Sequence, residues 1–141
     1  MKKFIILTAL ILSGCAIIQV TPLNLNANEK IQKICIEHNP RVVVNGFEDI
    51  VINRLEDNGI STETYIKGNK PSYCEYSIKY VAYQKWDLSM ILTQAELRLY
   101  KGDSKIAGAE YKLHAGGLLN PTKYKSTESK INPLVDQLIR K

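Results

Sequence analysis

Cys74-Glu75-Tyr76-Ser77-Ile78-Lys79-Tyr80-Val81-Ala82-Tyr83-Gln84-Lys85 decides the fold. Cys74, Tyr76, Ile78, Tyr80 and Ala82 fall on one side, while Glu75, Ser77, Lys79 and Lys85 fall on the other. Successive side chains of a strand point to opposite faces, so this alternation marks a strand with one buried face. The pattern repeats twice downstream. From Met90 to Tyr100, Ile91, Ala95, Leu97 and Leu99 make an apolar face against Gln94, Glu96 and Arg98. From Lys105 to His114, Ala107, Ala109, Tyr111 and Leu113 point inward. Trp86-Asp87 stands near the first reversal and Lys101-Gly102-Asp103-Ser104 makes the second, with Gly102 free to adopt a positive φ. Three antiparallel strands in a meander are expected.

Working towards the N-terminus, Ser61 to Lys67 is rich in Thr and Tyr and reads as a strand, closed by the turn Gly68-Asn69-Lys70-Pro71. Before it, Phe47, Ile50, Val51 and Leu55 recur at helical spacing. Asn45 with Glu48 three residues on resembles a capping box, and Asn58-Gly59 is the expected stop. Ile31 to Glu37 reads as the first strand, broken by Asn39-Pro40. Towards the C-terminus, Ala115 to Lys125 reads as a loop. Ile131, Leu134, Val135, Leu138 and Ile139 then fit one helical stripe opened by Ser126 or Ser129. Pro133 is expected in the first turn of that helix, where a missing N–H costs little.

The expected order is β-α-β-β-β-β-α. A strand-helix-strand unit implies a parallel pair. The expected architecture is an α+β two-layer sandwich, a mixed five-stranded sheet with two helices on one face. The uncovered face is then available to a partner.

The first thirty residues carry a separate message. Lys2 and Lys3 precede the apolar run Phe4 to Leu12, which is too short for a bilayer span of about 20 residues. Leu12-Ser13-Gly14-Cys15 follows and resembles the lipobox of bacterial lipoprotein signals. The resemblance implies cleavage before Cys15, diacylglycerol on its thiol and a further acyl chain on the new amine. The covalent lipid is the only prosthetic group expected, with no cofactor. Two or more chains hold a protein stably on a membrane, at about 0.8 kcal/mol per buried CH₂. The expected division is residues 1–14 as signal, 15–29 as lipidated cysteine and tether, and 30–141 as one α+β domain. No Asp follows Cys15, which favours the outer membrane, facing the periplasm.

The formal net charge of the full chain is +5. Loss of Lys2 and Lys3 would bring it to about +3, too little and too evenly spread for a nucleic-acid footprint. Lipidation of Cys15 leaves Cys35 and Cys74 as an even pair in an oxidising compartment, which reads as a disulfide. Two buried thiols, or one reactive thiol, are the alternatives.

Catalytic signatures such as HExxH, G-x-S-x-G, a P-loop or S-x-x-K are absent from the sequence. His38, beside Glu37, and His114 end two expected strands and would make a two-histidine metal site only if those ends met. No metal is expected. Cys35 and His38, three apart on a strand, point to opposite faces and do not form a nucleophile-base pair. Tyrosines are frequent on the expected strands. Most are expected to pack across strands, with a partner-binding patch at Tyr80, Tyr83, Trp86 and Asp87 as the functional alternative.

Ile34-Cys35-Ile36-Glu37-His38-Asn39-Pro40, Trp86-Asp87 and Ser126-Thr127-Glu128-Ser129-Lys130-Ile131-Asn132-Pro133-Leu134-Val135-Asp136 together resemble a family of small proteobacterial lipoproteins to which no activity is assigned. The resemblance covers most of the domain and implies no catalytic residues. In architecture alone, the β-α-β start is similar to periplasmic lipoproteins that activate cell-wall synthases and to the N-terminal part of the Tol-system propeller protein. The leading expectation is a non-catalytic, lipid-anchored module that binds an envelope protein. The alternatives are an immunity-type inhibitor of a periplasmic toxin or lysozyme, or a wall-acting enzyme or metal protein using Glu37, His38 and His114.

Overall fold

The computed structural model describes residues 17–21, 23, 25, 26, 28–114 and 121–140. The expected signal segment and the expected lipidation position, Cys15, lie outside the described residues.

The sheet is mixed and two helices pack on it, as the periodicities require, but it has six strands rather than five, in the order β1-β6-β5-β4-β2-β3. The strands are β1 (Ile17–Thr21), β2 (Lys33–His38), β3 (Ser61–Ile66), β4 (Tyr76–Asp87), β5 (Ser89–Lys101) and β6 (Ser104–Lys112). The additional strand, β1, comes from the segment expected as a tether. It lies antiparallel on β6, with Ile18 opposite Tyr111 and Val20 opposite Ala109. Its own sequence is too short to announce a strand. The open edge of β6 supplies the ladder, and Ile18 and Val20 pack against the core.

β2 is parallel to both neighbours, β3 and β4, and β4-β5-β6 form the expected meander. The chain therefore makes two parallel pairings where one was expected, because β4 returns to the far side of β2.

Helix α1 (Phe47–Asp57) does not use the expected capping box. Gly46 is the cap residue at φ 68°, and no side chain caps the helix. The left-handed turn at Gly46 sets Asn45 one residue too far back, and Glu48 is engaged elsewhere. The other end follows the sequence closely. Gly59, at φ 78°, donates to Glu56 O at 2.9 Å, and Ile60 donates to Leu55 O at 3.1 Å. These two bonds make a Schellman stop, and only glycine takes the positive φ without strain.

Helix α2 (Thr127–Ile139) is capped by Ser126, whose side chain accepts from Ser129 N. Pro133 lies inside this helix, in its second turn, not in the first turn as expected. Pro133 and Ser129 are both exposed, so the carbonyl left without a donor can face water.

Phe47, Val51 and Leu55 of α1 and Ile131, Leu134, Val135 and Leu138 of α2 join one core with the inward residues of β2, β4, β5 and β6. Full burial of each such aliphatic side chain contributes about 1.5–3 kcal/mol. Alternation in β5 is interrupted near Thr93, where the β4 register shifts between Tyr83 and Gln84. That bulge turns Leu92, rather than Ile91, into the core cluster. Ile91 is buried outside that cluster. Among the described residues, no helix is long and apolar enough to cross a membrane.

Candidate functional site

Cys35 and Cys74 form a disulfide with their Cα atoms 5.9 Å apart. The bridge and Tyr65 make a second small buried cluster. These residues lie on the face of the sheet away from the helices, where Cys35 pairs with Glu63 and Ser77.

The histidines do not form a joint site. His38 is the last residue of β2, and its Nδ1 lies 2.9 Å from Glu48 Oε2. His114 lies just beyond β6, and β4 and β5 intervene. Three strand spacings separate β2 from β6, about 14 Å. No group of three or more His, Cys, Asp and Glu side chains converges among the described residues.

The four residues of the expected contact patch are not on one surface. Tyr80 is buried, packs on Phe47 with ring centroids 5.4 Å apart, and donates its hydroxyl to Glu48. Burial and that carboxylate push its hydroxyl pKa well above the usual tyrosine value. Tyr80 is a core residue, and the patch is corrected to exclude it. Tyr83 stands exposed on the sheet face opposite, one residue before the register shift. Trp86 is exposed farther along the hairpin, and Asp87 is ion-paired with Lys123. Tyr76 and Tyr111 are buried like Tyr80, so cross-strand packing accounts for much of the tyrosine content.

A different site lies at the C-terminal ends of the parallel strands. β2 pairs with β4 only at Cys35–Ser77 and Ile36–Ile78, and then the two diverge. Asn39 holds the departing chain. Its backbone N donates to the Tyr80 hydroxyl at 3.2 Å, and its Nδ2 donates to the Tyr80 carbonyl at 2.9 Å. Its Oδ1 accepts from Arg41 N at 3.1 Å, closing a turn around Pro40. Past this point, β4 from Val81 to Asp87 has only β5 as a strand partner among the described residues. On its other side, Gln84 Nε2 reaches Val43 O at 3.3 Å.

The divergence opens a groove of about 690 Å³. Pro40, Val42, Ile66, Val81 and Tyr83 give it an apolar lining, and Arg41, Lys67 and Arg98 bring three cations to Glu37. Glu37 accepts from the Tyr65 hydroxyl at 3.2 Å and lies 4.0 Å from Lys79. Arg98 Nε sits 3.0 Å from Glu96 Oε1. The two are poorly aligned, and that buried Nε has no hydrogen-bond partner among the described residues. Ile66 and Val43 are exposed beside the groove. The arrangement offers a free strand edge, apolar pockets and surplus positive charge, which suits an extended segment rather than a small molecule. Sequence reading missed it because Arg41, Ile66, Val81 and Arg98 come from four separate segments. The only signal was Ile66, an apolar residue ending a polar strand.

No family model matches the sequence, and no curated protein matches it. The fold is that of a two-layer α+β protein with a mixed sheet. It is similar to PelC of Paraburkholderia phytofirmans, solved as a dodecamer in two crystal forms. In one, which carries a single substitution, the TM-score is 0.57 at 13% identity, covering 90% of this chain and 100% of that chain. In the other it is 0.54 at 12% identity, covering 87% and 96%. A minor lipoprotein from Acinetobacter baumannii is a weaker likeness, with a TM-score of 0.36 at 12% identity over 77% of this chain and 90% of that one. At these identities the likeness is one of fold.

Proposed function

We propose that this chain is an envelope lipoprotein, anchored through Cys15 to the periplasmic face of the outer membrane, and that it acts as a non-catalytic binding module for another envelope protein. The groove would receive an extended segment of that partner, carrying apolar and acidic side chains, as an added strand along β4. One observation carries this reading: the edge of β4 from Val81 onward is free of a second strand partner and faces a groove with more cations than anions. Apolar side chains of the incoming strand would meet Pro40, Val42 and Tyr83, while its carboxylates would meet Arg41, Lys67 and Arg98. The lipobox at Leu12 to Cys15 supports the anchor.

A second copy of this chain is the other candidate for that edge. PelC is a dodecamer, and strand addition between copies is one route to a ring.

A photo-crosslinking amino acid at Val81 tests the proposal in living cells, with the same probe at exposed Asn53 on α1 as control. The expected result is an adduct with one envelope protein at position 81 and none at 53. Arg41→Glu with Arg98→Glu should abolish it. An adduct of twice this chain's mass supports self-assembly instead. Equal labelling at both positions, or adducts indifferent to charge reversal, would refute the groove as a site.

A further inference from the structure

The β4–β5 hairpin runs past the ladders of its neighbours: β6 pairs with β5 only from Gln94 onward and β2 with β4 only as far as Ile78, while Lys123 pairs with Asp87 at the hairpin's side. Leu92, opposite Gln84, is the last β5 residue in the core cluster, and beyond it stand Trp86 opposite Met90 and Asp87 opposite Ser89. Trp86 is 73% exposed, Leu88 75% and Met90 55%, three large apolar side chains gathered on one tip. Scattered exposed apolar residues are ordinary, but a cluster at a projecting tip marks a contact surface. Leu88 also holds φ at 60°, the only non-glycine residue described with positive φ. Glycine or asparagine would sit there with less strain, so the tip keeps a leucine where backbone preference opposes it.

The sheet register says what this tip faces. Tyr83 pairs with Gln94, Gln94 with Lys112, and Lys112 with Ile17. These four residues form one row across the sheet. β1 is antiparallel to β6, and β6 to β5, so β1 begins at the end of the sheet from which the hairpin projects. Cys15 precedes Ile17 by two residues, a chain reach of about 7 Å. Trp86 lies three residues beyond Tyr83, about 10 Å along an extended strand. Chain length therefore lets an acyl anchor on Cys15 reach the membrane from the same end of the sheet that carries the apolar tip.

We propose that Trp86, Leu88 and Met90 sit in the interfacial zone of the bilayer that holds the lipid on Cys15, as a second membrane contact that fixes the domain's orientation. The inference rests on the anchored-lipoprotein reading. The chemistry fits. Tryptophan favours the headgroup level, where its ring is apolar and its N–H is wet. Exposed Lys85 can reach anionic headgroups beside it. The charge of Asp87 is answered by Lys123. Held this way, the groove beside β4 would open close to the membrane surface.

Trp86 is the single tryptophan of the chain, so its fluorescence reads the tip directly. Mature acylated protein is reconstituted in phosphatidylethanolamine–phosphatidylglycerol vesicles, with and without lipids brominated high on the acyl chain. Mass spectrometry and flotation report the anchor independently. The expected result is a blue-shifted Trp86 emission, quenched by the brominated lipid and several-fold less accessible to iodide than in detergent-free protein whose lipid was omitted by Cys15→Ser. Leu88→Asp with Met90→Asp, both at exposed positions, should restore iodide access while leaving the thermal unfolding curve and flotation unchanged. Protein that floats while Trp86 stays open to iodide overturns this inference and leaves the anchor standing. A blue shift that follows protein concentration, without quenching by brominated lipid, also overturns it, in favour of a contact between copies. Failure to find any acyl chain on Cys15 overturns the anchored reading and this inference together.

Discussion

Arg54 on α1 grips Asp136 on α2 with two parallel hydrogen bonds, Nε to Oδ1 at 2.7 Å and Nη2 to Oδ2 at 2.6 Å. Asn58 Nδ2 adds a third to Oδ1 at 3.2 Å. This fork is the principal polar link between the helices. The Arg54 hydrogen bonds hold the Asp136 carboxyl below its ordinary value of 3.8. Lys101 does the same for Glu29, and Lys33 for Glu63, both below 4.5. Carboxylates with depressed folded values contribute stability that is complete above their ordinary values and is lost as pH falls through the depressed ones. Urea midpoints should therefore hold steady from neutral pH to about pH 5 and fall below that. Asp136→Asn should lower the neutral-pH midpoint and flatten the acid limb.

Lys130 gives the opposite slope. It is buried, and its ammonium donates to Lys123 O at 2.8 Å and Leu92 O at 3.4 Å. Burial pushes its pKa below 10.5. A lysine whose pKa is lower in the folded than in the unfolded chain destabilises the protein at neutral pH, and this penalty fades as pH rises towards its ordinary value. Lys130→Met removes the charge at similar length. Its stability relative to wild type should be greatest at pH 7 and decline by pH 10 in paired denaturation curves.

Tyr80→Phe should cost about 1–3 kcal/mol, since it strips the hydroxyl that donates to Glu48 and accepts from Asn39 N. It also loosens the Asn39 turn that opens the groove. Tyr83→Phe, at an exposed hydroxyl, should leave stability within about 0.5 kcal/mol of wild type. Equal effects from the two would contradict the burial difference between them.

Cys35→Ala with Cys74→Ala releases a cross-link of sequence separation 39. Chain entropy predicts a loss of about 4 kcal/mol, or about 20 °C in Tm for a domain of this size. Calorimetry of the double variant checks it. Because the bridge lies on the face opposite the helices, the helical circular dichroism at low temperature should persist.

Much of the fold was legible because it rests on local periodicity. Strand alternation gave the inward faces of β4 and β6, except that Cys74, expected beside Tyr76 on that face, precedes β4 and is drawn by its bond to Cys35 onto the opposite face, and the stripe Phe47, Val51, Leu55 gave α1. The cysteine pair was legible once Cys15 was set aside. Where reading failed, a non-local partner had decided the matter. Ile17–Thr21 became a strand because β6 had an open edge. Leu92 took the place expected of Ile91 in the main core cluster because the β4 register shifts, while Ile91 is buried outside it. Tyr80 left the expected patch because Glu48, Asn39 and Phe47 surround it.

The sequence by itself determined the two-layer α+β class, the helix stop at Gly59 and the hairpin at Gly102, since each rests on residues a few positions apart. Tertiary structure alone decided that β2 and β4 part after Ile36, leaving a free edge beside Arg41, Lys67 and Arg98. It also set Ile17, Lys112, Gln94 and Tyr83 in one row, which puts the start of β1 at the end of the sheet that carries the β4–β5 turn. Register between distant strands is settled by burying one face of every strand at once, and no single segment carries that information.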